Sequence, residues 1–143
     1  MRISFIGAGH ITELLINHLV SDVMFEADDL TISDPDGNRC AELKRRFGVS
    51  VAADNCEAVS RSDFTFVCVQ PHIVRKVIDE LKDTCLRGRI LISVSAGIST
   101  GLYRSELPDA VVARILPNPP SGIGEGAIPV TISGNADGEQ VES

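Results

Sequence analysis

Short, almost unbroken apolar runs alternate along this chain with apolar residues at helical spacing. Residues 2–6 form the first run, stop abruptly at Gly7-Ala8-Gly9 and predict a buried strand. Ile11, Leu14, Leu15 and Leu19 then mark one face of a helix over residues 10–20. Leu30-Thr31-Ile32-Ser33 predicts a second strand, closed by Asp34-Pro35-Asp36-Gly37. Residues 38–47 predict a charged helix with Leu43 and Phe47 inward and Gly48 as its C-terminal cap. Strands are expected at 49–52 and 64–69, the latter apolar at nearly every position, as in a strand covered on both faces. Pro71 opens a helix with Ile73, Val74, Val77, Ile78 and Leu81 on one side. A strand at 89–94 precedes Ser95-Ala96-Gly97, and a short helix near 100–106 leads to a strand at 111–116. Pro117-Asn118-Pro119-Pro120 breaks the chain before a last strand at 127–132, where Pro129 marks an edge position. Such alternation predicts a doubly wound, mostly parallel α/β sheet with right-handed crossovers.

Composition narrows the function. The 143 residues are 43% apolar and 23% charged, the balance of a single globular domain. Acids outnumber bases 20 to 13, a net charge of −7, which argues against nucleic-acid or membrane-surface binding. With no Trp and 4% aromatics, a base-stacking or sugar-stacking platform is not expected. Cys40, Cys56, Cys68 and Cys85 form no CxxC pair, and His10, His18 and His72 do not fall at zinc-ligand spacing beside them. Reduced thiols, no metal and a cytoplasmic location are expected. No apolar run approaches the ~18 residues of a membrane span.

The chemistry concentrates where the first strand meets the first helix. Gly7-x-Gly9-x-x-Thr12 sits between them, the context that gives a dinucleotide-binding pattern its meaning. Gly7 permits the tight turn, Gly9 leaves room for a pyrophosphate, and the helix N-terminus offers free N–H groups and partial positive charge. Thr12 is bulkier than the Gly or Ala usual at the third position. The plain alternative is a strand–helix turn that happens to carry two glycines. Asp34, which ends the second strand, could accept hydrogen bonds from an adenosine ribose and would favour NAD. Alternatively it caps the turn before Pro35, while Ser33, Arg39 and Asn55 offer donors to the phosphate of NADP. The choice between NAD and NADP stays open.

Other residues have bland readings beside functional ones. His10 could add charge beside a pyrophosphate or simply be solvated at the helix start. His18 reads as half-buried packing, and His72 as a first-turn surface residue within reach of a cofactor rim. Cys68 is expected mid-strand, buried and inert. Glu125, between two glycines, reads equally as a site carboxylate or a loop brace. Lys44-Arg45-Arg46 reads as a solvated helix face.

The ordered motifs Met1-Arg-Ile-Ser-Phe-Ile-Gly-Ala-Gly9, Val69-Gln-Pro-His72, Ser95-Ala-Gly-Ile98, Leu116-Pro-Asn-Pro119 and Gly124-Glu-Gly126 closely resemble the N-terminal domain of pyrroline-5-carboxylate reductase. The resemblance covers essentially the whole chain. It implies hydride transfer from NADP or NAD to a cyclic imine, giving proline. It also implies that Gly7, Gly9, His10 and Ile11 hold the pyrophosphate, and that Asn55 lies near the adenosine ribose or its phosphate. Val69, Gln70 and Pro71 would pass under the cofactor, with Ala96 and Gly97 by the nicotinamide and Asn118 on the same side. Ser33 and Asp34 join them from the reading of the second strand. No catalytic residue is identified, and none is needed as an acid if the imine arrives protonated.

Three features depart from the family pattern. Gln70 stands where Lys is usual, Pro119 stands where Thr is common, and the family's helical part, roughly one further small domain, has no counterpart in this sequence. That part makes the family homo-oligomeric and supplies much of the pocket for a small imine or amino-acid-like substrate. The expected division is a dinucleotide-binding domain at 1–134 and a tail at 135–143 that starts a truncated helix. The sequence therefore reads as the cofactor-binding part of an oxidoreductase, inactive alone. Alternatives are a non-catalytic dinucleotide-binding or regulatory module, or a related dehydrogenase acting on another imine, a hydroxy acid or a deazaflavin.

Overall fold

Residues Ile3–Ile6 (β1) are buried at every position in a computed structural model that describes residues 1–22, 25–115 and 130–132. They take the centre of a sheet because both faces and both edges are covered. β1 pairs in parallel with Leu30–Ser33 (β2) on one side and Phe64–Val67 (β4) on the other. Ser50–Val51 (β3) extends the sheet beyond β2. Ile90–Ser93 (β5), Val111–Ile115 (β6) and Val130–Ile132 (β7) extend it beyond β4, giving the order β3-β2-β1-β4-β5-β6-β7. Six strands are parallel and β7 runs antiparallel to β6. The expected doubly wound, mostly parallel sheet is what forms.

Helices cover both faces. His10–Ser21 (α1) and Gly37–Phe47 (α2) bury Ile16, Cys40 and Leu43 against Ile3, Phe5, Leu30 and Ile32. Phe5 and Phe66 stack within that layer, ring centroids 5.3 Å apart. On the opposite face Asn55–Ser60 (α3), Pro71–Leu81 (α4) and Thr100–Glu106 (α5) pack Val59, Val74, Ile78, Leu81 and Tyr103 against Ile6, Val67, Leu91 and Val112. The alternation Phe5 to one core and Ile6 to the other follows from the two-residue period of a strand. Gly48 closes α2 as expected, at φ +79° with its N–H donating to the Lys44 carbonyl at 2.8 Å.

The strands are shorter than the apolar runs: β4 ends at Val67, so Cys68 lies just beyond it. α3 was not expected, and its six residues start at an Asp54 cap that accepts from the Glu57 N–H at 2.7 Å. The expected Pro117–Pro120 break, Glu125 with its flanking glycines, Pro129 and the 135–143 tail lie outside the described residues. No described helix is long and apolar enough to cross a membrane.

This topology has one functional consequence. From β1 the chain moves outward through β2 and β3, then returns to place β4 on the other side of β1. Loops leaving β1 and β4 therefore diverge, and a crevice opens between them at the carboxyl ends of the strands.

Candidate functional site

A cleft of about 230 Å³ occupies that crevice. Gly7 and Val69 line it from the turns after β1 and β4, and Ser33, Asp34 and Pro35 from the end of β2. Ala53, Asp54 and Asn55 approach from the start of α3, and α4 contributes Ile73, Lys76, Val77 and Glu80.

Gly7 is locked in place. Its φ is +99°, and a Cβ there would lie 2.9 Å from the Cys68 carbonyl oxygen and 3.1 Å from a Val69 methyl. Its N–H donates to the Ser33 carbonyl at 2.8 Å, while its own carbonyl accepts from the Thr12 hydroxyl at 2.6 Å. The bulk of Thr12 is thus accommodated: the side chain is fully buried and its hydroxyl bridges helix to strand.

Gly9 is the opposite case. It is the N-cap of α1, extended at φ −77° and ψ −172°, with nothing within 4 Å of a built Cβ. Neither backbone conformation nor packing requires glycine here. What glycine leaves is open ground before a 12-residue helix that has no side-chain cap, where unpaired N–H groups and the helix dipole favour an anion.

Ala8, between the glycines, is held at both its polar atoms. Its N–H donates to Asp34 Oδ2 at 2.7 Å, and its carbonyl accepts from Arg39 Nε at 2.8 Å. Asp34 Oδ1 also accepts from the Asp36 N–H at 2.8 Å, so the carboxylate braces the glycine loop and the β2 turn together. Arg39 is fixed in turn by Glu42, at 2.6 Å, and by Glu13 of α1, which also pairs with Arg46. The hydrogen bond from Arg39, with a smaller contribution from Arg46, holds the Glu13 carboxyl below the usual carboxylate range.

A pH effect follows. Because the folded-state pKa of Glu13 lies below that of the unfolded chain, the unfolded state takes up the proton first on acidification. The stability contributed by Glu13 is present above the unfolded value near 4.5 and is lost as pH falls through the folded one. Glu13→Gln is expected to melt below the parent at pH 7 and to converge with it as pH falls well below 4.5. Thermal melts across that range check this, and a constant gap would contradict it.

Of the residues singled out in the sequence, Gly7, Ser33, Asp34, Asn55 and Val69 meet at the cleft. His10 and Ile11 are the exposed first residues of α1, next to Gly9. Gln70 caps α4 and Pro71 begins it; neither lines the cleft, nor do Ala96 and Gly97, which are exposed in the turn after β5. Gly97 has φ +74°. Asn118 lies outside the described residues. His72, second in α4, is exposed. Burial pushes the Cys68 thiol up to about 12, so it stays protonated at neutral pH.

The side-chain donors of Ser33, Arg39 and Asn55, expected to be within reach of a phosphate, are hydrogen-bonded within the protein. The Ser33 hydroxyl donates to Asn55 Oδ1 at 2.8 Å, and Asn55 Nδ2 donates to Glu80 Oε2 at 2.6 Å. Lys76 and Glu80 carry no site signal in the sequence, because in α4 only the apolar stripe is informative. Their four-residue spacing signals only that they can pair.

Comparison with known proteins adds to this geometry. A family model described as NADP oxidoreductase, coenzyme F420-dependent, matches residues 2–97. Pyrroline-5-carboxylate reductase 3 of Danio rerio is 33% identical over 144 residues, an alignment covering 100% of this chain and 49% of that protein. A pyrroline-5-carboxylate reductase structure from Coxiella burnetii is similar at a TM-score of 0.88 and 25% identity, over 99% of this chain and 53% of the other. A Plasmodium falciparum pyrroline carboxylate reductase with NADP bound shares the fold, with a TM-score of 0.84 at 20% identity over 99% and 52% of the two chains. The chain spans about half the length of the curated relatives it matches.

Proposed function

This chain belongs to the coenzyme F420-dependent NADP oxidoreductase family, and on that premise we propose that it binds NADP(H) or NAD(H) as the nucleotide half of a pyrroline-5-carboxylate reductase. The observation that carries the reading is Gly9: open space where a side chain would stand, before an uncapped helix, beside a cleft at the switch point of the sheet. In this reading Gly7, Gly9, His10 and Ile11 present backbone to the pyrophosphate. Ser33, Asp34 and Asn55 face the adenosine ribose, Val69, Gln70 and Pro71 pass beneath the cofactor, and Ala96, Gly97 and Asn118 approach the nicotinamide.

Bound reduced nicotinamide supplies the hydride; this chain's part is to bind and orient. The grip on Ala8 by Asp34 and Arg39 sets the loop before ligand arrives, so little ordering cost is left for binding. A protonated imine needs no further acid from this chain. A cyclic imine as substrate of the whole protein is part of the same proposal, supported by the 33% identity to the Danio rerio reductase over all of this chain and 49% of that protein; homo-oligomeric assembly is proposed from the family resemblance alone.

Calorimetric titration is expected to give saturable binding of a nicotinamide dinucleotide between about 1 μM and 1 mM. No binding would overturn the proposal. The matched family description also names coenzyme F420, which favours a second reading in which a deazaflavin exchanges the hydride. Titrating F420 into the chain beside the dinucleotide separates the two: saturable F420 binding favours the second reading, and none removes it.

A further inference from the structure

Resting on the dinucleotide reading, we infer that the ribose end of this cleft selects NAD(H) over NADP(H), because the donors a 2′-phosphate would use are already held by the protein's own acids. The first such place is the start of α2, just beyond β2. Its free N–H groups would ordinarily suit a phosphate. Here the Asp36 carboxylate takes two of them, accepting from the Asn38 and Arg39 N–H groups at 3.0 and 3.2 Å. The third donor of that turn, the Asp36 N–H, is bound to Asp34.

The second place is the guanidinium of Arg39. Its Nε serves the Ala8 carbonyl and its two terminal nitrogens serve Glu42 and Glu13. Swinging it toward a phosphate would release the glycine loop that must hold the pyrophosphate. The third is the Ser33–Asn55 pair at the cleft wall, whose hydroxyl and amide run in one direction and end on Glu80.

Charge points the same way. The cleft is lined by Asp34, Asp54 and Glu80 against Lys76, whose Nζ is itself 3.9 Å from Glu80. A 2′-phosphate adds nearly two negative charges to that surface. A 2′-hydroxyl is instead a donor. Each Asp34 oxygen accepts a single backbone hydrogen bond here and retains a lone pair for it. Specificity thus comes from rejection of the phosphate as much as from reception of the hydroxyl.

The test titrates NADH and NADPH into the parent chain and into Glu80→Gln and Asp36→Ser variants. Both substitutions remove a charge and keep a polar side chain: Gln can also donate, and Ser still caps α2. The parent should bind NADH at least about tenfold tighter than NADPH. Each variant should narrow that ratio by roughly fivefold, with more narrowing when the two are combined. Parent affinity for NADPH equal to or above that for NADH overturns the inference while leaving the dinucleotide reading intact. A ratio unchanged in both variants overturns the assignment to Asp36 and to the Asn55–Glu80 contact. If neither dinucleotide binds the parent, the reading of the cleft is overturned and this inference with it.

Discussion

Gly9→Val is expected to abolish measurable dinucleotide binding while leaving the fold as stable as before. Gly9 is extended, and a β-branched residue adopts its φ and ψ without strain. Nothing lies within 4 Å of the new Cβ, so no core atom has to move. Replacing glycine also removes freedom from the unfolded chain, which offsets part of any small cost. The branched side chain does, however, fill the space in which a pyrophosphate approaches the α1 N–H groups. A loss of about 100-fold or more, roughly 3 kcal/mol, should appear by calorimetry, with a circular-dichroism melt within about 2 °C of the parent. Unchanged affinity would place the pyrophosphate elsewhere. A large fall in melting temperature would mean that Gly9 serves the fold.

The backbone around Gly9 and the polar contacts beside it differ in how far the sequence reveals them. The abrupt stop of an apolar run at Gly7-Ala8-Gly9, followed by a helical stripe, is enough to place β1, the turn and α1. Strong periodicity likewise places α4, because Val74, Val77, Ile78 and Leu81 are its buried face. Polar partners are another matter. Arg39 can be located near the glycine loop by counting residues. Its commitment to Ala8, Glu13 and Glu42 depends on how α1 and α2 pack, which no local pattern encodes. Asn55 ends on Glu80 only because α3 lies against α4. α3 itself is too short and too polar to show a stripe; the acid at Asp54 with Glu57 three residues on was its one trace. β7 pairs antiparallel through three residues, Val130 to Ile132, too few for alternation to indicate direction.

Gly7→Ala should fail for the reason that Gly9→Val does not. A methyl group at φ +99° costs about 1–2 kcal/mol in backbone strain alone. It would also sit 2.9 Å from the Cys68 carbonyl oxygen, and that atom belongs to the backbone, which cannot rotate away like a side chain. Cys68 is tied to β1 by its N–H bond to the Ile6 carbonyl at 2.8 Å. Gly7 is tied on the other side to Ser33 and from above to Thr12, so the turn has no free direction in which to slide. Overpacking of this kind adds about 1–3 kcal/mol, for a combined loss of about 2–5 kcal/mol out of the roughly 5–15 kcal/mol typical of a domain. The melting temperature should fall by roughly 10 °C, and denaturant titration followed by circular dichroism should show a lower midpoint with an unchanged slope. Saturating NADH should recover less stability in the variant than in the parent, because the α1 N–H groups are displaced with the turn. A stability loss below about 1 kcal/mol would show that the β1 and β4 ends can part, and the tight turn would then no longer explain why glycine stands at position 7.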